Sequence, residues 1–314
     1  MSSDPGDHDE AVRGRVLQPG DAVAIVSPSG PARRDLVEAG AALLRSWGLR
    51  PQVAPHAYAR RGYLAGSDSQ RAADVNAALA DPRVRAVICT RGGYGAQRIA
   101  DALDTGAVRR DPKPVVGFSD VTALQLALWR TARLACLHGP GAAWRGERTG
   151  AVSAESLRDA LMTTGPVVLK RDESTVTAPV TVPGTATGRL LGGNLCLLAT
   201  SLGTGDVPDL SGAILLLEDV EEPPYKVDRM LTQLRRAGVL SGLTGVALGH
   251  FTRCGDDTSS GIPEVLAERL TDLGVPVLGG LPVGHGAEPL TVPVGVPATL
   301  DASAGTLAVS PAVR

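Results

Sequence analysis

Short β-branched segments alternate with longer amphipathic ones between Leu17 and Pro140, and this alternation constrains the fold more than any other feature. In the last amphipathic segment Val121, Leu124 and Leu128 fall on one face at the spacing of a helix. The predicted strands are residues 22–27, 52–54, 84–89, 114–118 and 134–137, and the predicted helices are 33–47, 69–80, 95–103 and 120–130. The order βαβαβ predicts an α/β fold with a parallel, doubly wound sheet and helices on both faces.

The 314-residue chain is long enough for about two domains. We expect a disordered tail over residues 1–16, an N-terminal domain over 17–140, a connector over 141–187 and a smaller C-terminal α/β domain over 188–314. The connector is rich in Gly, Thr and Pro and is expected to be helical only around residues 154–162. Only nine side chains are aromatic, so both cores must be built from small and branched aliphatic residues.

Charge and hydropathy limit the partners. The formal net charge is −2 and no basic stripe is visible, which argues against a nucleic-acid-binding protein. No apolar run reaches 18 residues, so no membrane-spanning helix is expected. The polar, acidic N-terminus lacks the features of a secretory signal, so a cytoplasmic location is expected.

No cofactor or metal site is expected from the sequence. The four cysteines form no CxxC pair and, with the five histidines, show no spacing typical of zinc ligands. Neither GxGxxG nor GxxxxGK occurs, which argues against a nucleotide-binding regulator. We expect four free thiols, Cys89, Cys136, Cys196 and Cys254.

Three unusual loops follow predicted strands, and in an open α/β sheet such loops meet at one ligand-binding edge. Residues 28–31 form one, residues 91–95 (RGGYG) the second, and Ser119-Asp120 the third. Ser119 lies between a strand and a helix, as the nucleophile of a hydrolase elbow does, although the second glycine of that motif is missing. From local sequence, Ser119 is either a nucleophile or a helix N-cap. The glycines after Arg91 are either a flexible turn or a place where backbone amides approach a ligand.

A serine nucleophile needs a base and an acid that orients it. The candidate bases are His8, His56, His138, His250 and His285. His8 lies in the polar tail and His56 in an ordinary connecting segment. His138 ends a predicted strand and His285 follows a strand-like segment, so these two remain as alternatives. Glu218 ends a strongly apolar strand, where a carboxylate is costly to bury unless it is paired.

Eight segments, in order from about residue 17 to the end, together resemble the LD-carboxypeptidase family of serine peptidases, which includes the microcin C self-immunity peptidases. They are residues 27–31 (SPSGP), 63–68 (YLAGSD) with Arg71 and Asp74, 91–95 (RGGYG), 117–120 (GFSD), 138–140 (HGP), 192–195 (GGNL), 217–231 (LEDVEEPPYKVDRML) and 283–285 (VGH). The resemblance implies a flavodoxin-like N-terminal domain, a smaller C-terminal α/β domain, and a site between them.

The family resemblance implies a triad with Ser119 as nucleophile, His285 as base and Glu218 as orienting acid. It assigns His138 a structural role. Backbone amides of Asp120 and of the Gly92-Gly93 pair would form the oxyanion hole. The implied reaction releases terminal D-Ala from murein tetrapeptides during cell-wall recycling, with no cofactor. A homodimer is also implied. Further substrate contacts are expected from Arg91, Tyr94 and Asn194.

Two alternatives remain. A peptidase of the microcin C type would hydrolyse peptidyl or aminoacyl nucleotides and would need an aromatic side chain, for which Trp144 is the candidate near a motif. A non-catalytic peptide- or small-molecule-binding protein on the same scaffold would be expected to have lost Ser119, Glu218 or His285.

Overall fold

The computed structural model describes residues 10–146, 149–255 and 261–314. In the N-terminal half the elements are β1 (Ala22–Val26), α1 (Arg34–Ser46), β2 (Arg50–Val53), α2 (Asp68–Ala80), β3 (Val84–Cys89), α3 (Thr105–Arg110), β4 (Val115–Gly117), α4 (Thr122–Ala132), β5 (Cys136–His138) and α5 (Ala151–Met162). Short 3₁₀ helices span Gln97–Ala102 and Ser119–Val121. The predicted helix at 95–103 is therefore a 3₁₀ helix, and α3 follows it.

The C-terminal half contains β6 (Val167–Lys170), β7 (Thr181–Val182), β8 (Thr185–Asn194), α6 (Leu195–Thr200), β9 (Ala213–Val220), α7 (Pro224–Arg236), β10 (Gly245–Thr252), α8 (Ile262–Leu270), β11 (Val277–Leu278), β12 (Val292–Val294), β13 (Pro297–Asp301) and β14 (Thr306–Val309). A 3₁₀ turn, Thr271–Leu273, follows α8.

The first sheet has the strand order β12-β5-β4-β3-β1-β2 within the described residues. Strands β1 to β5 are parallel, and their order 2-1-3-4-5 is that of flavodoxin. Strand β12 returns from the C-terminal half and pairs antiparallel with β5. The predicted α/β class and the flavodoxin-like sheet are confirmed.

The second sheet has the order β6-β14-β13-β8-β9-β10-β11-β7 within the described residues. Its centre, β8 to β11, is parallel, and antiparallel strands extend it on both sides. Two of its strands, β6 and β7, lie in the predicted connector. They are only four and two residues long, too short to show a strand period in a Thr- and Pro-rich segment.

The predicted tail is wrong over part of its length. Val12 forms a bridge with Leu134 and Gly14 forms one with Val313. The Val16 amide donates to the carbonyl of Arg314 at 2.9 Å. These backbone pairings order the segment at the outer edge of the fold, and residues 1–9 of the predicted tail lie outside the described residues.

Helix α4 joins the two halves. Val121, Leu124 and Leu128 are buried as its pattern predicts, but so are Leu126 and Trp129 on the other side. The helix packs against β5 of the first sheet and against α6 and β8 of the second half. A helix covered on both sides fixes the loop before it, which carries Ser119.

Large side chains in the core are mainly aliphatic, as the composition predicts, with Trp129 and Phe251 as buried aromatic exceptions. The four cysteines are free thiols. No helix in the described part of the chain is long and apolar enough to cross a bilayer.

Candidate active site

Ser119 occupies a strained corner between β4 and α4. Its φ is +63°, in the left-handed region that costs a non-glycine residue about 1–2 kcal/mol. The residue preceding the 3₁₀ helix is Phe118, and no side chain caps the start of that helix or of α4. The geometry is that of a nucleophile elbow, and the capping role left open by the sequence is not the one that Ser119 plays.

Ser119 lines a cavity of about 620 Å³ between the two halves of the protein. Its walls include residues from both halves, with Gly92, Gly93 and Phe118 from the first and Gly284 and His285 from the second. A cavity of this size can hold a short peptide or a compact small molecule.

Gly92 lies directly against Ser119. A Cβ at position 92 would be 2.7 Å from Ser119 Cβ, 2.9 Å from its Oγ and 3.1 Å from the Asp120 amide nitrogen. Gly93 adopts a φ of +126°, which glycine tolerates far better than other residues. The backbone here can come close to the hydroxyl only because residue 92 has no side chain.

Asp120 fixes this loop from the other side. It is buried, and its Oδ2 accepts a hydrogen bond of 2.8 Å from the Ala96 amide, just after the RGGYG segment. The backbone of the RGGYG segment and of Asp120 is therefore held together beside Ser119.

Gly92→Ala should lower kcat by about 10²-fold, because the added methyl group must displace Ser119 or the neighbouring amide by a few tenths of an ångström to 1 Å. Steady-state kinetics and the urea midpoint would measure the effect on activity and stability. Gly165→Ala is the matched control, since the atom nearest to a Cβ there is 4.0 Å away. Wild-type kcat in Gly92→Ala would contradict the assigned packing.

Glu218 and His285 form a hydrogen-bonded pair although 67 residues separate them. Glu218 is fully buried near the end of strand β9, and the distance from its Oε2 to Nδ1 of His285 is 2.6 Å. Burial alone would raise the pKa of Glu218, but the charge and hydrogen bond of His285 outweigh it, so the pKa lies below its usual value. With a buried carboxylate on Nδ1, Nε2 is the ring nitrogen that would transfer a proton.

Glycine permits this contact as well. Gly284 has a φ of +99°, and a Cβ there would overlap with Glu218 Oε2. The ring of Phe118, next to Ser119, lies 4.7 Å from that of His285 between centroids. The first half of the protein therefore positions the histidine that the second half supplies.

His138 also contacts the same carboxylate. It is fully buried, its Nε2 is 3.8 Å from Glu218 Oε1, and both of its ring nitrogens lack a hydrogen-bond partner among the described residues. Burial lowers the pKa of His138 to about 4; the charge of Glu218 opposes this less strongly, and the charge of His285 adds to it. A neutral imidazole behind Glu218 is consistent with the structural role predicted for it.

His138 should make the protein less stable as the pH falls. Because its folded pKa is depressed, the unfolded state binds more protons between pH 6.5 and 4, and stability is lost across that window. Between pH 7 and pH 4.5 the unfolding free energy of wild type should therefore fall by about 2 kcal/mol more than that of His138→Gln. Burial also raises the pKa of Asp219 to about 6, which increases the stability of the folded protein as the pH falls. Because wild type and His138→Gln both contain Asp219, this effect cancels in the comparison. Urea unfolding at both pH values measures the difference, and equal losses would contradict a buried neutral His138.

The predicted substrate contacts fall in three different places. Arg91 lines the Ser119 cavity, and burial together with the nearby charge of Arg145 lowers its pKa. Tyr94 lines a neighbouring pocket instead. Asn194 lines neither: its Oδ1 caps α6 and its Nδ2 donates to Asp219 at 3.0 Å. Asn194 therefore has a structural role where β8 ends and α6 begins, and the substrate contact expected of it stays a prediction.

Sequence reasoning missed several cavity residues. Arg145, Thr149 and Arg253 line it, and no motif signals them. Arg253 forms an ion pair of 2.6 Å with Glu221, which lies in the motif segment 217–231 and also lines the cavity. His250 lies so close that a Cβ on Gly286 would overlap its ring, and burial lowers its pKa. Among the described residues, no three His, Cys, Asp or Glu side chains converge as metal ligands would.

Comparison with known proteins gives a consistent result. Sequence models of the LD-carboxypeptidase N-terminal and C-terminal domains match residues 23–139 and 187–300. A relative from Streptomyces coelicolor, whose name gives carboxypeptidase activity only provisionally, is 48% identical over 95% of this chain and 96% of its own. The murein tetrapeptide carboxypeptidase of Pseudomonas aeruginosa is 34% identical over 89% of this chain and 92% of its own.

Solved structures show the same fold. The muramoyltetrapeptide carboxypeptidase of Oxalobacter formigenes has a TM-score of 0.82 and 29% identity, covering 93% of this chain and 100% of its own. The microcin C7 self-immunity protein MccF in complex with glutamyl sulfamoyl guanosine has a TM-score of 0.84 and 23% identity, covering 95% and 98%. At that identity the second likeness shows a shared fold.

Proposed function

This chain belongs to the LD-carboxypeptidase family of serine peptidases, and from that premise we propose that it releases terminal D-Ala from murein tetrapeptides. The observation that carries the proposal is the pair of buried Glu218 and His285 in one cavity with Ser119 on its strained corner. We assign these side chains the roles of orienting acid, base and nucleophile.

In the proposed mechanism His285 takes the proton of Ser119 Oγ as the oxygen attacks the carbonyl carbon of the L-centre. The tetrahedral oxyanion is stabilised by amides of Asp120 and of the Gly92-Gly93 pair, each worth about 3 kcal/mol. His285 then protonates the leaving amine of D-Ala, and water hydrolyses the acyl-enzyme by the same proton transfers in reverse order.

Arg91 and Arg145 are proposed partners of the terminal carboxylate. Both line the Ser119 cavity, and neither guanidinium has a hydrogen bond or ion pair with the described residues. Their mutual repulsion lowers the pKa of Arg91, after the larger effect of burial. A carboxylate between them would relieve that repulsion and accept hydrogen bonds from planar donors.

The likeness to MccF favours one second candidate, hydrolysis of aminoacyl nucleotides. Trp144, the aromatic side chain expected to stack on the base, packs partly buried against the first core and does not line the cavity. This placement favours the tetrapeptide. A non-catalytic binding role is disfavoured because Ser119, Glu218 and His285 are all present and the last two are paired.

The test is a comparison of kcat/KM for L-Ala–γ-D-Glu–meso-diaminopimelate–D-Ala and for an aminoacyl sulfamoyl adenosine. We expect the tetrapeptide to be the better substrate. Turnover of the adenosine compound without D-Ala release would replace the proposal by the second candidate. A cytoplasmic role in cell-wall recycling and a homodimer, both implied by the family resemblance, belong to the same proposal; light scattering in solution tests the dimer.

A further inference from the structure

A second pocket of about 570 Å³ opens beside the Ser119 cavity. The two share Pro31, Arg60, Arg91 and Gly93, so they form one continuous surface. The second pocket is completed by Gly30, Gly62, Tyr63 and Tyr94. A ligand held at Ser119 can therefore extend into it along the residues that line both.

The lining of this pocket is cationic and aromatic. It contains two arginines and two tyrosines and, among the described residues, no carboxylate. Arg60 has no ion pair or side-chain hydrogen bond within the described ranges. By contrast, Arg33 and Arg253 at the edge of the Ser119 cavity are paired with Asp35 and Glu221. Arg60 is thus a cation whose charge remains available to a ligand.

The two tyrosines are exposed to an unusual degree for large side chains. Tyr63 is 65% exposed and Tyr94 49%, and their rings meet edge to face with centroids 5.6 Å apart. Their contact orders both rings without covering them. Aromatic rings with one face open and a cation alongside suit a ligand that combines apolar surface with an anionic group.

The floor of the pocket is the same backbone that contacts Ser119. The Gly30 amide donates to the Gly92 carbonyl at 3.3 Å, and a Cβ on Gly30 would lie 3.7 Å from Gly93 Cα. Binding in the second pocket therefore takes place on the loop that presents the Gly92-Gly93 amides. The binding energy of substrate contacts in this pocket can in this way be used to orient the groups that react at Ser119.

We propose that this pocket binds a carboxylate of the peptide on the acyl side of the scissile amide, with Arg60 as its ion-pair partner. The inference rests on the proposed function, in which only one residue leaves as D-Ala. Its carboxylate is proposed to lie in the Ser119 cavity between Arg91 and Arg145, so a portion of substrate that reaches beyond that cavity belongs to the acyl part. In the tetrapeptide two groups have this chemistry, the α-carboxylate of D-Glu and the distal carboxylate of diaminopimelate.

The experiment measures kcat/KM for the tetrapeptide and for two analogues in which one of these carboxylates is amidated. Wild type, Arg60→Gln and Arg61→Gln are compared. Arg61 is the matched control because it is an adjacent, exposed arginine that lines neither pocket. Binding of the same three peptides to Ser119→Ala protein by calorimetry provides a readout independent of turnover.

One of the two amidated analogues should be a poorer substrate than the free acid. With wild type and with Arg61→Gln, its kcat/KM should be lower about tenfold or more, which is the worth of a hydrogen bond to a charged group. Arg60→Gln should lower kcat/KM for the free acid by a similar factor and leave that analogue unchanged. An equal effect of Arg60→Gln on acid and amide, or no effect, would overturn the inference. If no peptide is cleaved, the proposed function fails. Calorimetry then decides the inference alone: Arg60-dependent preference for the acid supports it, and equal binding of acid and amides overturns it.

Discussion

Ser119→Ala should lower kcat for D-Ala release by on the order of 10⁶-fold, since removing the nucleophile of a serine peptidase removes the covalent route. The fold should be retained, because alanine has the same backbone preference as serine at the φ of +63° and the hydroxyl caps neither helix. The unfolding free energy should change by no more than about 0.5 kcal/mol.

The control for this variant is Ser46→Ala. Ser46 is exposed at the end of α1, and its Oγ donates to the Leu43 carbonyl at 2.6 Å, far in sequence from the cleft residues. It should have wild-type kcat. If Ser119→Ala kept more than a hundredth of wild-type activity while remaining folded, attack by Ser119 could not be the route of hydrolysis.

Glu218→Gln should lower kcat about 10⁴-fold, the effect seen when the orienting acid of a triad becomes an amide. The carboxylate accepts the Nδ1 proton of His285 at 2.6 Å. An amide nitrogen in that place would donate instead and would favour the tautomer with its proton on Nε2, which cannot take the proton of Ser119. Stopped assays across pH 5 to 9 would show the loss at every pH.

Asp219→Asn is the adjacent comparison. Asp219 accepts hydrogen bonds from the side chain of Asn194 and from the amides of Cys196 and Val220, so it orders β8 and α6 and has no hydrogen bond to His285. We expect this variant to lose stability and to retain far more activity than Glu218→Gln. Similar kinetic losses in both would mean that Glu218 acts only by holding the local fold.

The first sheet could be predicted from the sequence because its strands are parallel and buried. In such strands the apolar run and the helix that follows it are both visible along the chain. Because loops that follow parallel strands meet at one edge of the sheet, Ser119 and the RGGYG segment were predicted to lie together, and the structure brings them into contact. The pairing of Glu218 with His285 needed the family resemblance, since no local pattern joins two residues that far apart.

Most of the second sheet could not be predicted from the sequence. Strands β6 and β7 are too short to show a period, and β12 leaves its own half to pair with β5. The capping role of Asn194 was not predicted, because two glycines and an asparagine after an apolar segment resemble a ligand loop. In the structure both glycines have positive φ within β8, and Asn194 caps the next helix. Such choices depend on tertiary pairing, which local sequence does not encode.

The aromatic residues of the motif segments differ in where the structure places them. Phe118 and Tyr94 do line the cleft and the pocket beside it, whereas Trp144 packs against the core. Arg60 and Arg145 carry no sequence signal, because an arginine in a loop is usually a solvated charge. Only the structure shows that they line cavities without a carboxylate partner among the described residues.

The central claim is that this cleft hydrolyses an amide between an L-centre and D-Ala. Its most direct measurement is chiral analysis of the alanine released from an equimolar mixture of two tetrapeptides that differ only in ending with D-Ala or L-Ala. The expected result is that D-Ala accumulates linearly with time and enzyme concentration while L-Ala stays at the level of the enzyme-free blank. Release of neither amino acid, or of both at the same rate, would contradict it.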